Sequence, residues 1–474
     1  MKIKRLLFVL IIGLLFCFKI YPQAIKTDLT GSWIGSIDAG TVSLRIIFKL
    51  KITGDDKYSA TMDSPDQGAE GILLGDVIII RDSIVIKAPL LLGEYVGVIE
   101  SEDNIEGVWT QAGRKFDLNL ERLEEEFAIK RPQEPKPPYP YKLMDAEFRN
   151  YKADISLAGT ITYPSDTGSY PAVVLVSGSG PQNRDEEIMG HKPFAVLADY
   201  LTRKGIAVLR YDDRGVAKSG GSYAGATSAD FGDDAEAGVE YLKTLDFVNP
   251  SKIGIIGHSE GGLIAFMLAA RLNDLAFIVS MAGPGTSGRR IIEDQTEYIS
   301  RLSGVPEVTI KESYLVNSLI YDIMEDKEDS STGINRIKDT VSAYYSDLGY
   351  DEKIINQIVN NIGNSISLST YNWLRYFIMT EPQDYLKMIK CPVLAINGSK
   401  DSQVLADINI EGIRSGLENN ENADIRIYPG LNHLFQQCET GLLNEYSQID
   451  ETISPEVLND IAGWISDLFL QTQQ

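Results

Sequence analysis

The chain has 474 residues, which is too long for one ordinary domain, so we expect two domains. It carries 67 acidic residues against 44 basic ones, which gives a formal net charge of −23 at pH 7. So acidic a surface disfavours nucleic acids and anionic membranes, because binding to both depends on contacts between basic side chains and phosphates. Three cysteines are too few for a disulfide framework.

The N-terminus has the pattern of a secretory signal peptide. Lys2 and Arg5 precede an almost wholly apolar run over residues 6–18, and Ala24 supplies a small residue near the expected cleavage point. The apolar run is shorter than the roughly 20 residues that a membrane span needs. We therefore exclude residues 1–24 from the fold and expect an exported protein, periplasmic or extracellular, with no stable membrane insertion after cleavage. An uncleaved anchor is the alternative.

Residues 25–130 have the pattern of a small all-β domain. Apolar and polar residues alternate along several short segments: 42–50, 58–62, 77–80, 84–86, 93–99, 105–110 and 116–120. A period of two is typical of half-buried strands, and turns recur here at intervals of about ten residues. We predict a small antiparallel sheet or a lipocalin-like barrel, with no visible chemistry.

A proline-rich linker, residues 131–140, separates this domain from a second one over residues 141–474. In the second domain strands alternate with helices, which predicts a parallel sheet with helices on both faces. The predicted strands cover residues 155–163, 172–176, 206–211, 276–281, 392–397 and 425–428. Residues 285–388 interrupt this rhythm with helical, aromatic-rich segments. An insertion of this length predicts a folded helical cap.

The segment 252–270 organises the second domain. A short apolar run leads into GHSEG at residues 257–261, and apolar residues at helical spacing follow. A strand, a tight turn with a serine at its tip and a helix form a nucleophile elbow, in which the strained Ser259 exposes its Oγ. Glycines at 257 and 261 leave room for the turn.

A serine nucleophile needs an imidazole base, which a carboxylate must hold in place. The chain has three histidines. His258 adjoins Ser259 and should point away from it, and His191 lies near the start of the sheet, where it either lines the pocket or is structural. His433 follows the last predicted strand, at the edge where catalytic loops gather, so it is the predicted base. Asp401 follows the preceding strand and is the predicted acid, with a helix N-cap as its alternative role.

The oxyanion hole requires two backbone N–H groups. We predict the amide of Glu260, directly after the nucleophile, and that of Ser179, in the loop after the strand 172–176. The Gly180 amide is the alternative to Ser179. Charged residues at 184–186 and 212–214 are expected to form an ion-pair network that shapes these loops. The scattered histidines give no metal-ligand spacing, and we expect neither a metal nor a cofactor.

These segments resemble the α/β-hydrolase superfamily and, within it, exported bacterial serine esterases with an N-terminal β domain. The shared stretches are SGSGPQNRDE (177–186), HKPFAVLADYL (191–201), RYDDRGVAKSGG (210–221), GHSEGG (257–262), NGSKD (397–401) and NH (432–433). Ala217 stands where the resemblance leads us to expect glycine. Similar domains are also described as serine aminopeptidase-like or dipeptidyl-peptidase-like. The resemblance implies an α/β-hydrolase fold with a helical cap, and the chain order Ser259, Asp401, His433 agrees with it.

The sequence thus favours a serine hydrolase that cleaves small-molecule carboxylic esters, with short acyl groups, through an acyl-enzyme. A serine peptidase of the aminopeptidase or dipeptidyl-peptidase type on the same triad is the first alternative. A non-catalytic binding module that uses the hydrolase fold as a scaffold is the second.

Overall fold

The computed structural model describes residues 28–38, 43–54, 57–67, 69–125, 130–326 and 328–470. The predicted signal peptide, residues 1–24, lies outside the described residues. The chain divides into two compact units, one made of Met1–Ser64 and Ala69–Phe127 and the other of Pro65–Gly68 and Ala128–Gln474.

The first unit is all-β, as its alternating pattern predicts. Its described strands are β1 (Gly31–Asp38), β2 (Ser43–Thr53), β3 (Lys57–Ser64), β4 (Ala69–Leu73), β5 (Val77–Ile80), β6 (Ser83–Ala88), β7 (Gly93–Ile99), β8 (Asn104–Gln111), β9 (Arg114–Asp117) and β10 (Leu120–Leu123). They form one antiparallel sheet in the order β4-β3-β2-β1-β10-β8-β7-β6-β5, with β9 paired to β8. The inward positions bury Trp33, Phe48, Tyr95 and Trp109 in one core.

The segment 116–120, predicted as one strand, is divided between two strands. Between β9 and β10, the Leu118 N–H donates to the carbonyl of Gly107 at 2.8 Å, and the Asn119 side chain accepts from the Gly107 N–H at 3.1 Å. Beyond this interruption the chain still pairs with β8, and as β10 it also pairs with β1 on its other side. Strand β1 was not predicted, because glycine weakens its apolar pattern. A Cβ at Gly35 would lie 2.2 Å from the Asn119 carbonyl oxygen, so only glycine fits there.

The second unit contains a mixed eight-stranded sheet. Its strands are β11 (Lys142–Asn150), β12 (Ile155–Tyr163), β13 (Tyr170–Val176), β14 (Ala207–Tyr211), β15 (Val248–His258), β16 (Phe277–Met281), β17 (Val393–Gly398) and β18 (Ala423–Tyr428), in the order β11-β12-β14-β13-β15-β16-β17-β18. The six strands from β14 to β18 in this order are parallel, but β12 is antiparallel to both of its neighbours. The prediction of a parallel sheet is wrong at this edge. The short turn between β11 and β12 leaves no room for the crossover that parallel neighbours require.

Helices cover both faces of this sheet. The described helices are α1 (Pro193–Arg203), α2 (Ser228–Lys243), α3 (Glu260–Arg271), α4 (Gly288–Leu302), α5 (Glu307–Glu325), α6 (Ser330–Asp347), α7 (Glu352–Ser365), α8 (Tyr371–Ile378), α9 (Gln383–Leu386), α10 (Ala406–Gly416) and α11 (Pro455–Leu470). On β13, Val174 packs in one apolar cluster with residues of α2 and α3, whereas Val173 packs in another with residues of α1 and α11. Both side-chain directions of the strand are therefore apolar, which explains its unbroken hydrophobic run.

The chain between β16 and β17, where the cap is predicted, consists of the helices α4 to α9. Its members share a core of their own that includes Ile320, Ile337, Val341 and Tyr371. Over the described stretches of the chain, no helix combines the length and the apolar character that a membrane crossing requires.

Candidate active site

Ser259 is the single residue between β15 and α3, at the turn that joins them. Its backbone has φ 53° and ψ −119°, a conformation that residues with a Cβ rarely adopt. A Cβ at Gly257 would lie 1.9 Å from the carbonyl oxygen of Gly261, and one at Gly261 would lie 2.0 Å from that of Val176. Both glycines are therefore required by the close approach of the backbone. The strand, the strained turn and the helix of a nucleophile elbow are all present.

The loops after β17 and β18 bring Asp401 and His433 together. His433 Nδ1 donates to Asp401 Oδ2 at 2.7 Å, and the two residues are only 4% and 2% exposed. Asp401 Oδ1 accepts from the backbone amides of Gln403 and Val404, both at 2.8 Å. The carboxylate thus holds both the imidazole and its own loop. With the proton on Nδ1, Nε2 of His433 keeps the lone pair that a general base needs.

His433 lies beside the elbow. Its ring centroid is 4.7 Å from that of His258, the residue directly before Ser259. The structure therefore gathers Ser259, Asp401 and His433 at the carboxyl edge of the parallel strands, where α/β sheets bind their ligands. Among the hydrogen bonds of the described residues, none joins Ser259 Oγ to His433 Nε2. That bond commonly tightens only when substrate is bound.

The loop after β13 approaches the serine directly. A Cβ at Gly178 would lie 3.2 Å from Ser259 Cβ, so the absence of a side chain permits the approach. The Gly178 N–H donates to Glu186 Oε1 at 2.7 Å, and the Gly180 N–H donates to the Tyr223 hydroxyl at 3.0 Å. Two of the three amides in this part of the loop therefore have acceptors within the protein.

The remaining amide of the loop belongs to Ser179, and it has no acceptor among the hydrogen bonds of the described residues. The Glu260 amide opens helix α3 and likewise has no acceptor inside the helix. These two N–H groups flank Ser259 and can both receive an oxyanion. Gly180, the alternative donor, is committed to Tyr223, which favours Ser179.

Arginines pair with acids in the loops around the site, as the charged segments predict. Arg184 lies 2.6 Å from Asp212, Arg210 pairs with Asp185, and Arg214 lies 2.6 Å from Asp234 on α2. All of these side chains except that of Asp185 are less than one fifth exposed. Because buried pairs hold their partners at fixed positions, this network shapes the loops.

Asp213 is not paired with an arginine. It accepts from the Ser177 hydroxyl and from the Gln182 N–H, both at 2.9 Å. Burial raises the pKa of this carboxyl to about 7. Asp213 therefore fixes Ser177 and Gln182 by hydrogen bonds, and with them the loop over residues 177–182, which we call the oxyanion loop.

His191, whose role the sequence left open, is a structural residue. It is fully buried, with Nε2 2.7 Å from the carbonyl oxygen of Tyr446 and Nδ1 2.9 Å from the Thr452 hydroxyl. Burial lowers the pKa of this imidazole to about 4, so it is neutral at pH 7.

The cap is joined to the elbow through Glu260. Its buried carboxylate accepts from the indole N–H of Trp373 on α8, at 2.9 and 3.1 Å, and from the Ser228 hydroxyl at 2.5 Å. Burial raises the pKa of Glu260. Trp373 stacks on Phe377, which packs with Leu263 of α3. Two aromatics of α8 thus contact the elbow helix.

Replacing Trp373 by phenylalanine is expected to lower the free energy of unfolding by about 1–3 kcal/mol, because the buried Glu260 carboxylate loses its indole donor. Tyr371→Phe is the matched control. The Tyr371 hydroxyl is buried and has no hydrogen-bond partner among the described residues, so its removal should cost nothing. Urea titration of both variants measures the difference. Equal stability of the two variants would contradict the importance of this contact.

The contacts of Tyr223 and Trp373 in the site were not assigned from the sequence, and Glu186 was assigned only to the ion-pair network, not to Gly178 and His258. Within the described ranges, no group of three or more His, Cys, Asp or Glu side chains is arranged to hold a metal ion. Cys391 and Cys438 are both free thiols.

Residues 191–437 match the sequence model of a family described as Serine aminopeptidase, S33. Over 312 residues the chain is 26% identical to esterase EstD of Thermotoga maritima. The aligned region covers 65% of this chain and 65% of the esterase. Over 170 residues the chain is 30% identical to dipeptidyl peptidase 8 of Homo sapiens. That aligned region covers 34% of this chain and 18% of the peptidase. The chain thus spans just under two thirds of the length of the esterase. A solved structure of a Pyrococcus furiosus esterase superposes with a TM-score of 0.44 at 15% identity, over 73% of this chain and 99% of that one.

Proposed function

We propose that the chain, which belongs to the serine aminopeptidase S33 family, is a serine hydrolase that cleaves carboxylic esters with short acyl groups. The observation that carries the proposal is the buried Asp401–His433 pair, 2.7 Å apart, beside a serine held in a strained turn. The similarity to esterase EstD favours esters as the substrate class.

In the proposed mechanism, Ser259 Oγ attacks the ester carbonyl carbon while His433 Nε2 accepts its proton. Asp401 stabilises the imidazolium that forms. The amides of Ser179 and Glu260 donate to the oxyanion of the tetrahedral intermediate. Collapse of the intermediate expels the alcohol, which takes the proton from His433, and leaves an acyl-enzyme. Water then gives a proton to His433 and attacks the acyl group, which releases the acid and restores the serine.

A short-acyl preference is proposed because α8 packs directly on the elbow helix. Phe377 and Val404 belong to the same apolar cluster as Leu263, so aromatic and aliphatic side chains pack against the helix that follows the nucleophile. We expect this packing to limit the depth available to an acyl chain. Purified residues 25–474 should hydrolyse nitrophenyl acetate and butyrate faster than the longer-chain esters. An equal or rising rate with chain length would contradict the preference.

The peptidase alternative has one observation in its favour. Glu260 is a buried carboxylate next to the nucleophile, and its hydrogen-bond donors, Ser228 and Trp373, are uncharged. A carboxylate in this position could receive a free amino terminus. Aminoacyl nitroanilides assayed beside the nitrophenyl esters separate the two functions, because a larger kcat/KM on the anilides would favour the peptidase. If the protein is a binding module without catalysis, a fluorophosphonate probe should not label Ser259.

The activity is expected to fall on the acid side of its pH profile. His433 must be neutral to accept a proton, and histidine side chains change their charge between about pH 5 and pH 8. The kcat/KM on a nitrophenyl ester, measured from pH 5 to pH 8 with the protein folded throughout, checks this. A flat profile over that range would argue against a histidine base.

We also propose that the protein is exported to the periplasm or the cell exterior. The basic and apolar pattern of residues 1–24 supports this. Sequencing the N-terminus of the protein recovered from its native host should show a new terminus near residue 25, whereas a retained Met1 would contradict cleavage.

A further inference from the structure

A second histidine–carboxylate pair lies behind the nucleophile. His258 Nδ1 is 3.0 Å from Glu186 Oε1, and His258 Nε2 is 3.0 Å from the carbonyl oxygen of His433. The same oxygen of Glu186 accepts from the Gly178 N–H at 2.7 Å. Glu186 and His258 are only 4% and 6% exposed. One buried pair therefore connects the oxyanion loop, the strand that carries the nucleophile and the loop that carries the base.

The hydrogen bonds constrain the charge of this pair. A carbonyl oxygen can only accept, so His258 Nε2 carries a proton. With Glu186 ionised, its Oε1 accepts both from the Gly178 amide and from His258 Nδ1, and His258 is then an imidazolium. Burial by itself would lower the pKa of His258, but the charge and hydrogen bond of Glu186 outweigh it and raise the pKa.

The surroundings of the pair contain few other titratable groups. His433 and Asp401 face His258 from the base side, and Asp213 lies near Glu186. The remaining walls are apolar: Pro193, Phe194, Leu197, Met281, Leu434, Phe435 and Ile453. Glu186 also has a positive φ of 51°, a conformation uncommon for glutamate. A strained residue persists only where its surroundings fix it, which agrees with a positional role.

We propose that the Glu186–His258 ion pair positions the base and the oxyanion loop on either side of Ser259, and that deprotonation of His258 sets an alkaline limit to activity. The inference rests on the proposed hydrolase function. Neither residue touches the reacting atoms: Glu186 acts through the Gly178 amide, and His258 acts through the backbone of His433. The pair is distinct from the Asp401–His433 pair, which orients the imidazole ring itself.

The direction of the pH effect follows from the charge. A histidine whose folded pKa is raised contributes stability that is fully present below its unfolded value, near 6.5, and is lost as the pH rises through the folded value. Above that value a neutral His258 has one N–H for two acceptors. Either the contact to Glu186 or the contact to His433 is then lost, and kcat should fall while KM changes little.

The test compares the pH profile of Glu186→Gln with that of the wild-type protein. The glutamine can still accept from Gly178, but it cannot support a charge on His258. We expect the alkaline limb of kcat to move to lower pH by about one unit or more, while the acid limb stays in place. Asp63→Asn is the matched control, because it removes an equally buried carboxylate that also accepts from a glycine amide, that of Gly71 at 2.7 Å, but lies in the first unit. It should move neither limb. A folded Glu186→Gln protein with an unmoved alkaline limb overturns the proposal.

A second measurement does not depend on the variant. The wild-type chain has three histidines, so nitrogen-15 NMR of the imidazoles can be assigned residue by residue. At pH 7 His258 should carry protons on both ring nitrogens, whereas His191 should be neutral. A neutral His258 at pH 7 overturns the proposal even if the Glu186→Gln protein does not fold. Fluorophosphonate labelling of the wild-type protein is read in parallel. Absence of labelling counts against the hydrolase function, and the NMR result still decides the state of the pair.

Discussion

Ser259→Ala is expected to lower kcat on a nitrophenyl ester by about 10³-fold or more, because the acyl-enzyme can no longer form. What activity remains should come from the oxyanion donors and from substrate binding alone. The substitution removes one oxygen from a strained turn, so the melting temperature should not fall. Steady-state assays and thermal unfolding of the same preparation measure both quantities.

The control for this substitution is Ser251→Ala, which removes a serine hydroxyl from the exposed part of the same strand. It should leave both kcat and labelling by a fluorophosphonate probe unchanged. Ser259→Ala should abolish the labelling. A Ser259→Ala protein that retains turnover and labels elsewhere would show that another residue is the nucleophile.

The arrangement of the elbow could be predicted because its causes are local. A strand pattern, two glycines and a helix pattern determine that Ser259 stands at a turn, and the structure shows why each glycine is needed. The places of Asp401 and His433 could also be predicted, because parallel strands present their carboxyl ends at one edge. Strands β7 and β12 begin and end at the predicted residues for the same local reason.

The contacts that could not be predicted join segments that are distant in sequence. Glu186 and His258 are 72 residues apart, and Trp373 and Glu260 are 113 apart. No periodicity of either segment indicates which partner a side chain will meet. Each pairing depends on the loop path or on the packing of the cap.

The antiparallel edge of the second sheet and the division between β9 and β10 were missed for a related reason. Strand β12 is antiparallel to both of its neighbours, yet it is buried along most of its length as the parallel strands are, so its direction leaves little trace in the apolar pattern. At Leu118 and Asn119, side-chain and backbone bonds to Gly107 divide one alternating segment into two strands, of which the second also pairs with β1. Such a division is decided by tertiary hydrogen bonds, which the alternation of a single strand does not report.

Asp401→Asn is expected to lower kcat by about 10³- to 10⁴-fold while the protein stays folded. In the wild-type protein Asp401 Oδ1 accepts from the amides of Gln403 and Val404, and Oδ2 accepts from His433 Nδ1. An asparagine can keep the first two bonds through its carbonyl oxygen. Its NH₂ group then faces His433 Nδ1 as a donor, so the ring proton must move to Nε2. The nitrogen that faces the serine then has no lone pair with which to accept a proton.

A control variant distinguishes the role of Asp401 in orienting the His433 imidazole from a general effect of losing one negative charge. Asp407→Asn removes the same charge from an exposed side chain in the first turn of α10, six residues further along the chain, and it should retain full activity. The tautomer shift itself can be measured, since nitrogen-15 NMR should show the His433 proton on Nε2 in Asp401→Asn and on Nδ1 in the wild-type protein. If Asp401→Asn keeps the wild-type tautomer and kcat, the carboxylate only shapes its loop, and the orienting acid must be sought among the other carboxylates near His433.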